Sequence, residues 1–190
     1  NGILFKTAVS LEEAGKVRVV ALDKTGTITT GQPRVTDVLP APGVTDEQLI
    51  AAAYALEQKS EHPLAHAVVE RAQNLGLKAQ EVSDFAALPG NGLTAMLDGE
   101  ALSGGSLAFI SGRTEVSGDM RAQADHLSGE GKTPLLFSRG GRLLGMIAVA
   151  DAIKPESPQA VRELQNMGIR VVMLTGDNQR TAEAIGRQAG

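Results

Sequence analysis

The sequence predicts an α/β protein in which a parallel-sheet domain is interrupted by an inserted α+β domain with an antiparallel sheet. Two apolar, β-branched runs, 17–22 and 169–174, are typical of strands buried on both faces of a parallel sheet. Each run ends in small polar residues, and hairpin and helix signals lie between them. We therefore expect a sheet domain formed by residues 1–33 and 151–190, and an inserted domain over residues 34–150.

The first half of the inserted domain shows one strand and two helices. A short strand is predicted over 35–39, followed by a proline- and glycine-rich turn. Thr45 and Gln48 form a capping box that predicts a helix start. A second helix is expected over 63–75, with Pro63 in its first position and a glycine as its stop. The expected buried faces are Leu49, Ile50, Ala53 and Leu56 in the first helix, and Leu64, Ala67, Val68, Ala72 and Leu75 in the second.

The second half of the inserted domain carries two hairpin signals. Asp98-Gly99 and Gly140-Gly141 each separate two apolar runs, as expected for two-residue hairpin turns. A polar helix is predicted between these hairpins, over 119–127. After the inserted domain, a helix over 155–167 leads to the second apolar strand, and a last helix runs to the end of the chain.

Composition excludes several classes of protein. The 190 residues are 42% hydrophobic and 21% charged, with a net charge of −4, which gives no basic surface for nucleic acid. The chain has no cysteine, so disulfides and thiolate metal sites are excluded and a reducing, cytosolic setting is favoured. No run approaches the ~20 apolar residues of a membrane span, and the opening residues do not form a signal peptide. We expect a soluble chain.

The first strand delivers a reactive carboxylate. Open α/β sheets present ligand-binding groups at the carboxyl ends of their strands. A carboxylate placed there can attack a phosphorus centre and form an aspartyl-phosphate. The small polar residues that follow could wrap a phosphoryl group with backbone N–H groups. The residues concerned are Asp23-Lys24-Thr25-Gly26-Thr27-Ile28-Thr29.

These seven residues resemble the phosphorylation motif of P-type ATPases, a branch of the haloacid dehalogenase-like fold. Thr175-Gly176-Asp177 after the second strand resembles another motif of the same family. The Ser-Glu-His-Pro sequence 60–63 is similar to a signature of the heavy-metal-transporting subfamily. Gly90-Asn91-Gly92 matches the Gly-x-Gly of its nucleotide domain, and Gly105 matches a further glycine. The resemblance spans essentially the whole chain.

The resemblance implies a haloacid dehalogenase-like (Rossmann-like) phosphorylation domain, incomplete here because a later Gly-Asp-Gly-x-Asn-Asp segment is absent. It implies ATP and Mg²⁺ as cofactors, with Mg²⁺ bound by Asp23 and the backbone carbonyl of Thr25. Thr175 and Gly176 would hold phosphoryl oxygens, and Lys24 would neutralise charge. The implied catalytic residues are Asp23, Lys24, Thr25, Thr27, Thr175, Gly176 and Asp177. The implied nucleotide-binding residues are Glu57, His62, Gly90, Gly92 and Gly105.

The nucleotide residues also have a local physical reading. His62 should cap the helix that begins at Pro63, where the helix N-terminus disfavours a positive charge and leaves a neutral imidazole to contact adenine. The alternative is a capping histidine without a ligand. Glu57 could accept a hydrogen bond from the adenine amino group, or could be a solvated carboxylate at a helix end. His66 and His126 are expected to be surface residues.

Two further segments are candidates for a functional role. Gly131-Lys132-Thr133 superficially resembles a P-loop, but the upstream glycine spacing and the preceding strand are missing, so we reject a P-loop. Asp151 and Lys154-Pro155 resemble a family hinge, in which Asp151 could position elements of both domains.

The leading functional hypothesis is the ATP-binding and phosphorylation region of a heavy-metal-exporting P-type ATPase, at the cytoplasmic face of the cell membrane. Its partners would be the transmembrane and actuator domains of the same pump, with the transported ion bound elsewhere. The opening residues 2–6 and the overall match favour copper(I), with zinc or cadmium as alternatives. A soluble haloacid dehalogenase-like phosphatase needs a second carboxylate two residues after Asp23, where this chain has Thr25. The chain on its own could bind nucleotide without sustained turnover.

Overall fold

A computed structural model describes residue 4, residues 6–88 and residues 90–190. Most of the opening segment 2–6, which favours the copper type, lies outside the described residues. Within the described ranges, no helix is long and apolar enough to cross a membrane. The helices are α1 (Ala8–Ala14), α2 (Asp46–Glu57), α3 (Pro63–Asn74), α4 (Leu107–Ser111), α5 (Gly118–Gly129), α6 (Ser157–Asn166) and α7 (Gln179–Ala189). The strands are β1 (Val19–Asp23), β2 (Arg34–Pro40), β3 (Ser83–Leu88), β4 (Gly92–Leu97), β5 (Glu100–Gly105), β6 (Thr133–Arg139), β7 (Arg142–Ala150) and β8 (Arg170–Leu174).

The smaller sheet joins the two apolar strands predicted near the ends of the chain. β1 and β8 pair in parallel, and their register places Asp23 beside Leu174. The expectation that both strands are buried on both faces is wrong, because Val19 is 48% and Leu174 53% exposed. The physical reason is that the described part of this sheet has two strands, so each strand has one neighbour and incomplete cover.

The larger sheet is antiparallel and has the strand order β2-β7-β6-β5-β4-β3. Successive residues of its central strands point to opposite faces, so each face builds its own core. Phe137 and Ile147 pack with α2 and α3, whereas Leu136 and Met146 pack with α4 and α5. All four are fully buried. The helix pairs on the two faces of the sheet therefore exclude water from its centre.

Local signals in the sequence account for several boundaries. The capping box of α2 is complete: the Gln48 N–H donates to Thr45 Oγ1 at 3.2 Å, and Gln48 Oε1 accepts from the Thr45 N–H at 2.9 Å. Asp98 has a φ of 51° and Gly99 one of 80°, as a hairpin turn with two left-handed residues requires. The Gly140-Gly141 turn has the same signs. Both predicted hairpins and the capping box are confirmed.

The sequence analysis missed three elements, and its assignment of one residue to the core is wrong. α1 buries none of its residues, and α4 has five residues, so neither gives a strong periodic pattern. β3 is a largely exposed edge strand whose register shifts after Ser83, which breaks the alternation expected of a strand. Leu75 is 45% exposed because it is the C-cap of α3 and not part of its buried face.

Two segments of the chain connect the two sheets, and hydrogen bonds to Asp151 hold these segments together. Its carboxylate accepts hydrogen bonds from the hydroxyls of Thr29 and Thr30 at 2.5 and 2.8 Å. The backbone N–H groups of Gly31 and Gln32 also donate to it, at 3.1 and 3.2 Å. Asp151 directly follows the last strand of the larger sheet, β7, and its carboxylate therefore holds the segment that leads into the first strand, β2. This agrees with the predicted positioning role of Asp151, and a hinge motion stays a prediction.

Candidate active site

Asp23 ends β1 with its side chain exposed, and the loop behind it is tightly held. Gly26 has a φ of 77°, a conformation that favours glycine, and this lets the chain reverse directly after the strand. The hydroxyl and the N–H of Thr29 both donate to the Lys24 carbonyl at 2.9 Å. The ammonium of Lys154 donates to the Gly26 carbonyl at 2.6 Å. The carboxylate is thus presented to solvent by a loop that is fixed at two points.

Lys24 and Asp177 form a shielded ion pair beside Asp23. The Lys24 Nζ lies 2.5 Å from Asp177 Oδ2, and the two side chains are only 12% and 7% exposed. Burial by itself would raise the pKa of Asp177, but hydrogen bonds from Lys24, Thr175 and Thr133, with the charge of Lys24, hold that pKa below its ordinary value. Asp177 therefore stays ionised at neutral pH and fixes the ammonium at the strand end.

The Thr175 hydroxyl is already engaged within this cluster. It donates to Asp177 Oδ2 at 2.7 Å and accepts from the Asp177 N–H at 3.1 Å. The expected contact of this hydroxyl with phosphoryl oxygens stays a prediction. The neighbouring Asn178 caps α7 by accepting from the Thr181 N–H at 3.0 Å. The loop after β8 is consequently shaped by its own side chains before any ligand arrives.

A cavity of about 1110 Å³ opens between the two sheets, and nearly all the predicted site residues line it. Its volume is slightly above the range of about 300–1,000 Å³ that is typical of small-molecule and cofactor sites. Thr27 does not line it. One wall carries Asp23, Lys24, Thr25, Thr175, Gly176 and Asp177, and the other carries Glu57, His62, Gly90, Gly92 and Gly105.

Glu57, the last residue of α2, is a buried carboxyl group on the cavity wall. It is 6% exposed, and burial raises its pKa to about 7. No group among the described residues donates a hydrogen bond to its carboxyl oxygens or forms an ion pair with them. The solvated-carboxylate alternative is therefore wrong. A buried acceptor without a protein donor, facing a cavity, is suited to a ligand that brings its own N–H group.

His62 caps α3, as predicted. Its Nδ1 accepts a hydrogen bond from the Leu64 N–H at 3.2 Å, while the ring lines the cavity. Because Nδ1 is the acceptor, the proton of the neutral ring lies on Nε2, which is left to donate. His66 and His126 are exposed, as expected, and His126 Nε2 lies 3.3 Å from a carboxylate oxygen of Glu130.

The glycines on the wall that carries Glu57 and His62 are required by the packing and the backbone conformation of the protein itself, apart from any contact with a ligand. A Cβ on Gly92 would lie 2.3 Å from the Gly104 carbonyl oxygen, and one on Gly105 would lie 2.6 Å from that of Asn91. Gly90 has open space around it but a φ of 75°. The Gly-x-Gly sequence thus serves the close approach of neighbouring backbone at its second glycine and a left-handed turn at its first.

Thr133 is a site residue that the sequence analysis missed. It begins β6, lines the cavity and donates from Oγ1 to Asp177 Oδ1 at 3.0 Å. Gly131-Lys132-Thr133 leads from a helix into a strand, the reverse of a P-loop, so the rejection of a P-loop is confirmed. A threonine at a strand start carries no local signal of this contact, which joins residues 44 positions apart.

Comparison with known proteins supports this reading of the fold. The model of the haloacid dehalogenase-like hydrolases, a family of hydrolases, matches residues 17–190. Copper-transporting ATPase 1 of Rhizobium meliloti (strain 1021) is 40% identical over 189 residues, covering 100% of this chain and 23% of that protein. The chain thus spans about a quarter of the length of such curated relatives.

Of two similar solved structures, one covers nearly the whole chain and the other covers part of it. The crystal structure of a zinc-transporting PIB-type ATPase in the E2.Pi state is 37% identical, with a TM-score of 0.67, over 98% of this chain and 30% of that one. The N-domain of HMA8, a copper-transporting P-type ATPase, is 30% identical, with a TM-score of 0.54, over 62% of this chain and 99% of that domain. These matches confirm the predicted fold class and the predicted resemblance to the catalytic region of P-type ATPases. The chain belongs to the haloacid dehalogenase-like hydrolase family.

Proposed function

We propose that this chain is the ATP-binding and aspartyl-phosphorylation region of a P-type ATPase that exports copper(I). The observation that carries the proposal is the cavity between the two sheets. An exposed carboxylate at a strand end, Asp23, stands on one wall, and a buried acceptor and a neutral imidazole, Glu57 and His62, stand on the other. An ATP molecule held by its base at the second wall would extend its phosphates toward the first.

The proposed division of the chain follows the two sheets. Residues 1–33 and 151–190 would form the phosphorylation domain around β1 and β8, and residues 34–150 the nucleotide-binding domain around the six-stranded sheet. The Thr30 N–H donates to the Ala152 carbonyl at 2.8 Å, which holds together the two chain segments that would join these domains.

Nucleotide binding would use groups that this structure leaves ready. The Glu57 carboxyl group can accept from the adenine amino group, and the proton on His62 Nε2 can donate to a ring nitrogen or the ring can stack on the base. Gly90 lines the cavity without a side chain and has open space around it. Because Glu57 is buried and no protein group donates to its carboxyl oxygens, a ligand N–H would satisfy an acceptor that the protein leaves unpaired.

Phosphoryl transfer would begin with the Asp23 carboxylate attacking the γ-phosphorus of ATP. An Asp23 Oδ–P bond forms as the bond from the γ-phosphorus to the bridging oxygen breaks, and ADP leaves with that oxygen's electron pair. Lys24, fixed by Asp177 at 2.5 Å, would stabilise the charge that builds up on the phosphoryl oxygens. Thr27 does not line the cavity, and its catalytic role rests on the motif alone.

The oxygen donors at the strand end suit Mg²⁺. The Asp23 carboxylate and the Thr25 carbonyl are hard ligands of the type this ion prefers. Phosphate oxygens of ATP would share the coordination of the ion with these two groups. When bound, Mg²⁺ would neutralise charge on the phosphates.

The proposal for the transported ion is based on the relatives. The proposal for the partners is based on exposed apolar residues of the two-stranded sheet. Copper(I) is favoured because a relative that is 40% identical is a copper-transporting ATPase, and zinc or cadmium is the alternative because a zinc-transporting structure is 37% identical. The transported ion would bind in transmembrane domains of the same pump, with this region at the cytoplasmic face. The exposed Val19 and Leu174 are suited to contact with further parts of that pump.

The alternative enzyme is a soluble haloacid dehalogenase-like phosphatase. Such an enzyme needs a general acid two residues after the nucleophile, and Thr25 occupies that position. A nucleotide-binding module without turnover is the non-enzymatic alternative. Labelling of the intact pump with γ-labelled ATP separates the proposed function from the binding module: the pump forms an acid-stable, hydroxylamine-labile phosphoenzyme that Asp23→Asn abolishes, whereas a binding module takes up no label. Labelling that persists in Asp23→Asn would remove Asp23 from this role.

Calorimetric titration of ATP tests the two-wall arrangement. His62→Gln should lose the weak binding of ATP, whereas Asp23→Asn should retain it, because His62 would contact the base and Asp23 would not. Equal loss in both variants would contradict the assignment of separate walls. In the intact pump, stimulation of ATP hydrolysis by Cu(I) but not by Zn(II) would establish the cargo, and the reverse would replace it.

A further inference from the structure

The turn between α5 and β6 docks onto α7 through hydrogen bonds that cross from one sheet unit to the other. Thr181 Oγ1 donates to the Lys132 carbonyl at 2.8 Å, and Gln188 Nε2 donates to the Glu130 carbonyl at 3.2 Å. Thr133 Oγ1 donates in the opposite sense, to Asp177 Oδ1 at 3.0 Å. The backbone of this turn is therefore fixed relative to the loop that carries Asp177.

The anchor of this turn is shielded from water. Thr181 is fully buried, so solvent has little access to the hydroxyl that donates to the Lys132 carbonyl. Its backbone N–H is held by the Asn178 side chain at the start of α7. Lys132 is further restrained by ion pairs with Asp37 and Glu130, each at 2.9 Å. The residue after Lys132 is thus placed by contacts that do not involve its own side chain.

The two carboxylate oxygens of Asp177 accept hydrogen bonds from different parts of the chain. Oδ2 accepts from Lys24 and Thr175, which belong to the loops after β1 and β8. Oδ1 accepts from Thr133, which belongs to the six-stranded unit. Rotation of the carboxylate about its own axis would move both oxygens together, so the bond at Oδ1 also sets the direction in which Oδ2 holds the Lys24 ammonium.

We propose that Thr133 is a positioning residue for phosphoryl transfer to Asp23. It acts through Asp177, whose orientation it fixes, and thereby through Lys24 beside the nucleophile. The proposal rests on the proposed function, since it concerns the transfer step of that reaction. It assigns a role in catalysis to a residue of the inserted unit that need not touch ATP, and it links the docking of that unit to the geometry of the strand-end cluster.

The test is a comparison of phosphorylation and ATP affinity in the intact pump. Thr133→Val keeps the shape of the side chain and removes the hydroxyl. We expect the rate of Asp23 labelling at saturating ATP to fall by about tenfold, as for loss of a hydrogen bond to a charged group, with ATP affinity changed by less than about twofold. Thr133→Ser keeps the hydroxyl and should restore the rate to within about twofold of the unmodified pump.

A matched control is available in the same unit. Thr114 is also half-buried and also donates its hydroxyl across the fold, to the Gly141 carbonyl at 2.6 Å, but it does not line the cavity. Thr114→Val should leave the labelling rate unchanged. If Thr133→Val does not fold, Thr133→Ala against Thr133→Ser isolates the hydroxyl in the same way.

Three results would overturn the positioning role. Thr133→Val or Thr133→Ala could label as fast as the unmodified pump, or Thr133→Ser could be as slow as they are. A loss confined to ATP affinity would make Thr133 a nucleotide contact instead. Failure of the proposed function is distinguishable, because then the unmodified pump gives no label that Asp23→Asn removes.

Discussion

Replacing Glu57 by glutamine is expected to stabilise the folded chain at high pH and not at low pH. In the folded chain burial raises the pKa of Glu57 from 4.5 to about 7. Well below pH 4.5, the carboxyl group is mainly neutral in both states, so burial costs little. As pH rises, the unfolded chain ionises first, and stability falls until the folded pKa is passed. Above about pH 7 the penalty is complete and constant.

The size of this penalty follows from the two pKa values. The interval from 4.5 to about 7, at about 1.4 kcal/mol per pH unit, gives a penalty of about 3 kcal/mol. The free energy of unfolding of Glu57→Gln, minus that of the unmodified chain, should therefore rise by about this amount between about pH 4.5 and about pH 8. A constant offset from the buried amide does not affect this rise.

Urea titrations across this pH range measure the difference. Glu61→Gln removes a carboxylate from an exposed position nearby and controls for the change in net charge. A difference that does not vary with pH, or one that falls as pH rises, would refute the argument that burial without a protein donor sets the pKa of Glu57.

Three further predictions address packing and local stability. Gly92→Ala should destabilise the six-stranded unit by roughly 1–3 kcal/mol, because its Cβ would lie 2.3 Å from the Gly104 carbonyl oxygen; an unchanged melting temperature would contradict this. Thr45→Ala should cost about 1 kcal/mol in urea titrations through loss of the cap on α2, and Thr45→Ser should recover most of it. Hydrogen exchange should show the strongest protection within 34–150 and weaker protection in 17–22 and 169–174, since β1 and β8 pair only with each other in the part of the chain that the structure describes. Uniform protection in all three segments would show that the two-stranded sheet is self-sufficient.

Local chemistry in the sequence determined much of this fold. The Thr45–Gln48 capping box, the Asp98-Gly99 turn and the cap by His62 are all interactions among residues a few positions apart, which residue type and spacing specify. The motif at Asp23 identified the candidate nucleophile for the same reason, because a strand followed by a fixed set of small polar residues is a local pattern. β3 was missed because an exposed, irregular edge strand lacks the alternation that such patterns need.

The tertiary structure alone decided which groups meet and which are buried. The sequence left Glu57 open between a solvated and a ligand-binding carboxylate, and only the packing of α2 beneath the cavity wall buries it and raises its pKa. Thr133 reaches Asp177, and Lys24 reaches the same carboxylate, across 44 and 153 positions of sequence. Burial and contacts of this range depend on how whole elements pack against one another, and no local pattern of residue types encodes them.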